Sequence, residues 1–275
     1  MPIITISRQE GSYGDVIAAI LARNMGLELI TRQKVHEIAQ SCDPEYSEAC
    51  VDYESEHGPG FFERIFFDKT SYTSLFQSLT YEQAGKGNVI IIGRGAPVVL
   101  QDIPSVFKLC VVAPRKVRVE RVKARYNLST ARAEEYVRKH DHERTSLETS
   151  VFGRDPGDWS LYDIIINTAH YDSGSAAEVV QCAVEKKVTH EEEAQFLEKL
   201  KNMGFAKRIE TIIRRKLTPV VARNVEVEAE SEGEVTLKGS IRSIQDKEKT
   251  QKIAQECPGV TSVKNELKIL EVAWI

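Results

Sequence analysis

The chain has no apolar run approaching the roughly 20 residues that cross a bilayer, so nothing in it reads as a membrane-spanning helix. Cysteine is sparse. Cys42, Cys50, Cys110, Cys182 and Cys257 are scattered, odd in number and without a C-x-x-C pair. That usage argues against a disulfide framework and against a cysteine zinc site, and it fits reduced thiols. His140 and His142 stand two apart, a spacing that does not share a helix face, and they read as solvated rather than metal-ligating. The opening MPIITISRQEG lacks the basic start and apolar core of a signal peptide, so a cytoplasmic location is expected. Positive charge is not in excess either. Against 41 Asp and Glu there are 37 Lys and Arg, net −4, which argues against nucleic-acid binding through bulk charge.

What is present is enough for two domains: 275 residues, 41 % of them hydrophobic. Residues 2–7 alternate like a strand, Gly11 to Gly14 make a turn, and Ile17, Ile20, Leu21 and Met25 recur at helical spacing before Gly26. A short strand at 27–30 and a helix around 33–40 are expected next, then an irregular, acidic stretch at 42–60. Phe61, Phe62, Phe66, Phe67, Tyr72, Phe76 and Tyr81 are expected to pack along helices of a core or lid. Continuous apolar runs at 88–92, 107–112 and 162–166, separated by helical stretches at 114–126 and 130–145, predict a parallel, doubly wound α/β sheet with helices on both faces. Beyond about residue 183 the composition turns highly charged. The expected division is 1–183 as the first domain, 184–204 as a charged linker helix, and 205–275 as a small αββαβ domain, whose hairpin is signalled by Val225, Val227, Ala229, Val235 and Leu237.

Three groups of residues could carry chemistry. Arg8, Gly11, Ser12, Tyr13, Gly14 and Asp15 lie between the first strand and first helix, where backbone N–H groups and a helix N-terminus can hold an anion. Compared with G-x-x-x-x-G-K-[ST], Gly14 matches the last glycine, but Asp15 replaces the lysine and Val16 the hydroxyl residue. Arg8 could supply a replacement cation from the other side of the loop. Gly93, Arg94 and Gly95 end a buried strand, where ligands of open α/β sheets bind and where arginine can fork onto a phosphate. Arg118, Arg121 and Arg125 share a helix face, and Arg144 and Arg154 follow; phosphoryl transfer needs such cations for the charge on its equatorial oxygens.

Residues 3–168 resemble the cytidylate-kinase-like branch of the P-loop nucleoside monophosphate kinases, through ITISRQEGSYGDVIA, VIIIGRGAPVVL, VVAPRKVRVERV and KHDHERTSLETSVFGRDPGDWSLYDIIINT in that order. The resemblance implies a phosphate loop at 11–14 and a monophosphate contact from Arg94. It implies that Arg118 and Arg121 open a helical lid and that Arg144 and Arg154 reach the phosphates. Asp163 and Asn167 would lie near the nucleotide end. It also implies ATP and Mg²⁺ as cofactors and a CMP-like nucleoside monophosphate as substrate. Metal ligands stay open, with Asp15 as one Mg²⁺ contact to consider. A catalytically degenerate nucleotide or phosphometabolite sensor is the alternative, favoured by Asp15 and Val16. Residues 205–271 resemble a BON domain through NVEVEAESEGEVTLKGSIRS and IAQECPGVTSVKNELKIL, which implies a regulatory or docking module and leaves peripheral lipid contact and homo-oligomerisation open.

Overall fold

The computed structural model describes residues 1–31, 33–34, 37, 69–93, 95–155, 158–187, 193–231 and 233–270. The helix expected at 33–40, the acidic stretch at 42–60, the first four phenylalanines of the aromatic cluster and Arg94 lie outside the described residues, wholly or nearly so. Strands run β1 (Ile3–Arg8), β2 (Glu28–Ile30), β3 (Val89–Ile92), β4 (Val106–Val112), β5 (Ile164–Asn167), β6 (Val225–Ser231), β7 (Glu234–Ile241), β8 (Ser262–Asn265) and β9 (Lys268–Ile269). Helices run α1 (Gly14–Met25), α2 (Lys69–Ala84), α3 (Ala96–Val99), α4 (Arg115–Tyr126), α5 (Thr130–Phe152), α6 (Ser173–Lys187), α7 (Glu193–Lys216), α8 (Pro219–Ala222) and α9 (Ile244–Gln255).

The chain packs as two compact units, Met1–Thr31 with Lys86–Glu193, and Arg32–Gly85 with Ala194–Ile275. The first is built on a parallel sheet in the order β2-β3-β1-β4-β5, with Ile4 opposite Ile90 on one side and Phe107 on the other. This is the expected α/β architecture. One sheet face carries Ile4, Ile6, Ile90, Ile92, Phe107, Leu109, Val111 and Ile166, packed with Ile17, Ala18 and Leu21 of α1 and Ala176, Ala177, Val180 and Val184 of α6. Period-two alternation turns Thr5, Ser7, Lys108 and Cys110 to the other, more polar face. Glycine ends α1 as expected: Gly26 is left-handed and its N–H returns to the Ala22 carbonyl. The chain leaves β1 toward β2 and β4 toward β5, in opposite directions, so a crevice opens beyond the carboxyl ends of the strands around β1.

In the second unit β6 and β7 form the expected antiparallel hairpin. The single last strand expected at 262–269 is two strands, β8 and β9, both parallel to β7, because Glu266 bonds back to the Leu237 carbonyl between them. Of the expected linker stretch 184–204, the described residues fall at the end of α6 and in the first half of α7, whose Leu197 and Leu200 are buried along with Ile209, Ile212 and Ile213 further on.

Helix α2 lies in sequence between β2 and β3, yet it packs against α7. A Cβ on Gly204 would stand 2.8 Å from the Glu82 backbone nitrogen, and one on Gly85 would stand 3.0 Å from that of Lys201, so both glycines allow close backbone approach. Arg208 Nε lies 3.5 Å from Glu82, and Arg214 donates to the Thr70 carbonyl at 2.9 Å, so the two helices run antiparallel. Phe76 and Tyr81 of α2 are buried, which agrees with a packing role for this part of the aromatic cluster.

Candidate active site

The loop after β1 is pinned from beneath. Gln9 donates its backbone N–H to the Val111 carbonyl at 3.1 Å, and its side-chain oxygen accepts from Ala113 N–H at 3.1 Å. Ser12 N–H returns to the Gln9 carbonyl at 3.1 Å. Gly11 is left-handed (φ 79°), and a Cβ there would stand 2.8 Å from the Arg118 carbonyl oxygen, so only glycine fits. Gly14 then starts α1, directing its first N–H groups and the positive end of its dipole toward the loop.

Arg8 closes one side. Its Nε donates to Asp15 Oδ1 at 3.1 Å, a Cβ on Gly14 would stand 2.5 Å from its own Cβ, and a Cβ on Gly93 would overlap its Nη1. The side chain therefore runs from the loop to the end of β3, joining two of the three candidate groups. Asp15 is thereby ion-paired, and its carboxylate no longer opposes an anion as a bare charge. Gly93 and Gly95 are both left-handed, and the phenyl ring of Phe152, at the end of α5, fills the space beside Gly95.

Arg118 and Arg121 close the other side, and both guanidinium groups are held by protein acceptors. Arg118 is 4 % exposed, and its guanidinium is committed to protein acceptors. Nε donates to the Ala113 carbonyl (3.0 Å), Nη1 to the Glu10 carbonyl (3.2 Å), and Nη1 and Nη2 fork onto Asp141 of α5 at 3.0 and 2.9 Å. Arg121 donates to Thr168 Oγ1 (2.9 Å) and to the Thr168 carbonyl (2.7 Å), while Thr168 Oγ1 donates to the Ser12 carbonyl at 2.8 Å. Its guanidinium carbon stands 4.1 Å from the centroid of the Tyr13 ring. Arg125, on the same predicted face, is exposed and lies over Tyr126 instead.

Arg144 and Arg154 form a separate group on the β3 side. Arg144 lies 3.9 Å from Glu148, and Arg154 donates to Gln101 Oε1 and Asp158 Oδ2, both at 2.7 Å. Burial pushes the Glu148 carboxyl up, opposed by these two arginines. Burial also pushes the Tyr162 phenol to about 12 and the Cys110 thiol to about 11, so both stay protonated at neutral pH. Because the folded state holds the Glu148 proton more tightly than the unfolded chain, its contribution to stability falls as pH rises through and above the ordinary 4.5. The stability difference between Glu148→Gln and the parent is accordingly expected to grow in the variant's favour from about pH 4 to about pH 7, read as denaturant midpoints.

Two further placements differ from expectation. Asp163 is at the amino end of β5, away from the crevice, where it accepts from the Lys108 N–H at 2.8 Å and pairs with Lys187; it precedes the apolar run of the strand and so falls at its start. Asn167 does end β5, but its side chain accepts from Ala169 N–H. His140 is half-buried against Tyr136, with Nδ1 3.3 Å from Glu143, rather than solvated. The residues that sequence reasoning missed are Gln9, Asp141, Glu148 and Thr168. Asp141 carried one usable signal, an acid spaced along a helix that faces an arginine-bearing one.

Residues 3–170 match the model of the cytidylate kinase-like family, and residues 206–271 match that of the BON domain. The cytidylate kinase of Methanopyrus kandleri is 25 % identical over 199 residues, covering 69 % of this chain and 96 % of that protein. That of Pyrococcus horikoshii is 26 % identical over 190 residues, covering 66 % and 88 %. A crystal structure of an uncharacterized protein from Eubacterium ventriosum matches with a TM-score of 0.51 at 20 % identity, over 67 % of this chain and 99 % of that one, a likeness of fold.

Proposed function

The chain belongs to the cytidylate kinase-like family, and from that premise we propose that it moves the γ-phosphoryl group of ATP onto a nucleoside monophosphate, CMP or a similar small acceptor, with the BON-like module regulating or docking it. The observation that carries this reading is the course of Arg8, which runs from the phosphate-loop candidate at Gly14 and Asp15 to Gly93 at the end of β3. A cation spanning those two places would sit where a phosphoryl group travels between donor and acceptor, and its charge would be felt most as negative charge spreads over the transferring oxygens. It does part of what the absent lysine does elsewhere.

The loop fits a phosphate chain. Ser12 Oγ is fully buried and has no hydrogen-bond partner among the described residues, an orphan that an oxygen of the ligand would satisfy. Mg²⁺ takes oxygen donors, and the Asp15 carboxylate beside the loop is of the right kind to meet it; the ion would neutralise the β- and γ-phosphates. On the β3 side, Arg94 between Gly93 and Gly95 would hold the acceptor phosphate, with Arg144 and Arg154 supplying further positive charge. Arg118 and Arg121 would act by holding the loop.

The test is ADP release from Mg·ATP across a panel of nucleoside monophosphates. Acceptor-dependent release is expected, abolished in Arg94→Ala and lowered about a hundredfold in Arg8→Ala. Parent turnover no higher than that of Arg94→Ala would sink the proposal. Asp15 in the lysine's place favours a second reading, a sensor that binds a nucleotide or phosphometabolite without turning it over. Thermal stabilisation by nucleotide with no turnover would select it.

A further inference from the structure

We infer that Tyr13 is the residue on which the nucleobase of the phosphoryl donor stacks. The inference rests on the kinase reading above and adds the polarity of the donor. If the acceptor lies beyond β3, at Gly93 and Gly95, the γ-phosphate points that way. The α-phosphate and base then extend to the opposite side of β1, over β4 and β5. That side of the loop is bounded by Arg121 and Thr168, and it presents the Tyr13 ring.

Two properties of Tyr13 fit this task. The residue is 41 % exposed although it stands in the tightest part of the loop, and one face of its ring is held by the Arg121 guanidinium at 4.1 Å. A ring fixed on one side by a cation and open on the other is a stacking platform that any base can use. Arg121 is itself fixed by the Thr168 hydroxyl and carbonyl, so the platform is rigid before ligand arrives. The second property is conformational. Tyr13 has φ 66° and ψ 17°, a left-handed backbone that glycine adopts far more readily. A bulky residue kept at a conformational cost beside a ligand loop points to a use for its ring.

The backbone supplies the control. Tyr13→Gly removes the ring and relieves the left-handed strain, so the variant is expected to fold at least as well as the parent. Calorimetric titration of the full chain with Mg·ATP and, separately, with inorganic tripolyphosphate reads the base apart from the phosphates. Tyr13→Gly is expected to lose about tenfold in affinity for ATP and to keep that for tripolyphosphate within about twofold. Tyr13→Phe is expected to bind both like the parent. Equal losses for both ligands would make the ring a prop for the loop and overturn the inference. So would unchanged ATP affinity, and so would tighter ATP binding, which would place the ring where the base belongs. A parent that binds tripolyphosphate but gains nothing from the nucleoside overturns the inference and leaves the phosphate loop standing. A parent that binds neither overturns the kinase reading and this inference with it.

Discussion

Arg214→Ala is expected to destabilise the second unit by about 3–5 kcal/mol, a large fraction of the roughly 5–15 kcal/mol that holds a domain together. The cause is the carboxylate it leaves behind. Glu210 is 1 % exposed and lies 2.6 Å from Arg214 Nη1. It also accepts from Lys207 Nζ at 2.9 Å and from Val227 N–H at 3.2 Å, which ties α7 to β6. Arg214 further donates to the Thr70 carbonyl of α2 and, at 3.0 Å, to the Val225 carbonyl. One side chain thus ties its own helix to β6 and to α2, the latter more than a hundred residues away in sequence. Without it a buried charge loses its closest partner and two carbonyls lose a donor. Hydrogen exchange in peptides covering α2 and β6 measures the effect, with β1 as the internal reference. Faster exchange in both α2 and β6 is the expected signature, and an unchanged pattern would mean that Glu210 finds another cation. Replacing Arg214 and Glu210 together by methionine is expected to restore much of the loss, because the penalty lies in the unpaired charge more than in the missing bond.

The same region shows where the sequence stops being informative. The strands VIII and VFKLCVV of the first unit were legible because a sheet covered on both faces demands near-continuous apolar runs, broken here only by Lys108, and their loops follow from the positions of glycine. The stripe Leu197, Leu200, Ile209, Ile212 and Ile213 was masked by the charges between its members, so α7 read as a solvated linker followed by a separate helix. Its partner α2 lies more than a hundred residues away, and the contact depends on Gly204 and Gly85, which in one dimension look like helix breakers. In the site, the loop from Arg8 to Asp15 was legible because strand, glycines and helix follow one another. The division of labour among the arginines was not. Spacing put Arg118, Arg121 and Arg125 on one face, but only packing decides that the first is buried, the second half-buried and the third solvated. A sequence records where cations are concentrated, whereas their acceptors (Glu10, Ala113 and Asp141 for Arg118) come from three separate elements.

That division leads to the second expected result. Arg118→Ala should cost the first unit about 2–4 kcal/mol in the absence of any ligand. The guanidinium fastens the Glu10 and Ala113 carbonyls and forks onto Asp141, so its removal loosens the loop, the start of α4 and the middle of α5 together. The upper end of the range is moderated by Asp141, which is 32 % exposed and can recover water. Lysine offers a point charge in place of a planar fork, so Arg118→Lys should rescue little. Asp141→Asn keeps the shape and one acceptor, and should cost about 1–2 kcal/mol. Denaturant melts of the ligand-free variants measure these losses, and ATP titration of the same proteins at low temperature measures the consequence for the loop. A phosphate-binding Arg118 would give the opposite pattern, with ligand-free stability unchanged and nucleotide affinity lost, and that outcome would return this residue to the role its sequence position suggested. The expected pattern instead makes Arg118 a positioning residue, and leaves to Arg8, which reaches from Asp15 to Gly93, the role proposed above for a cation between donor and acceptor.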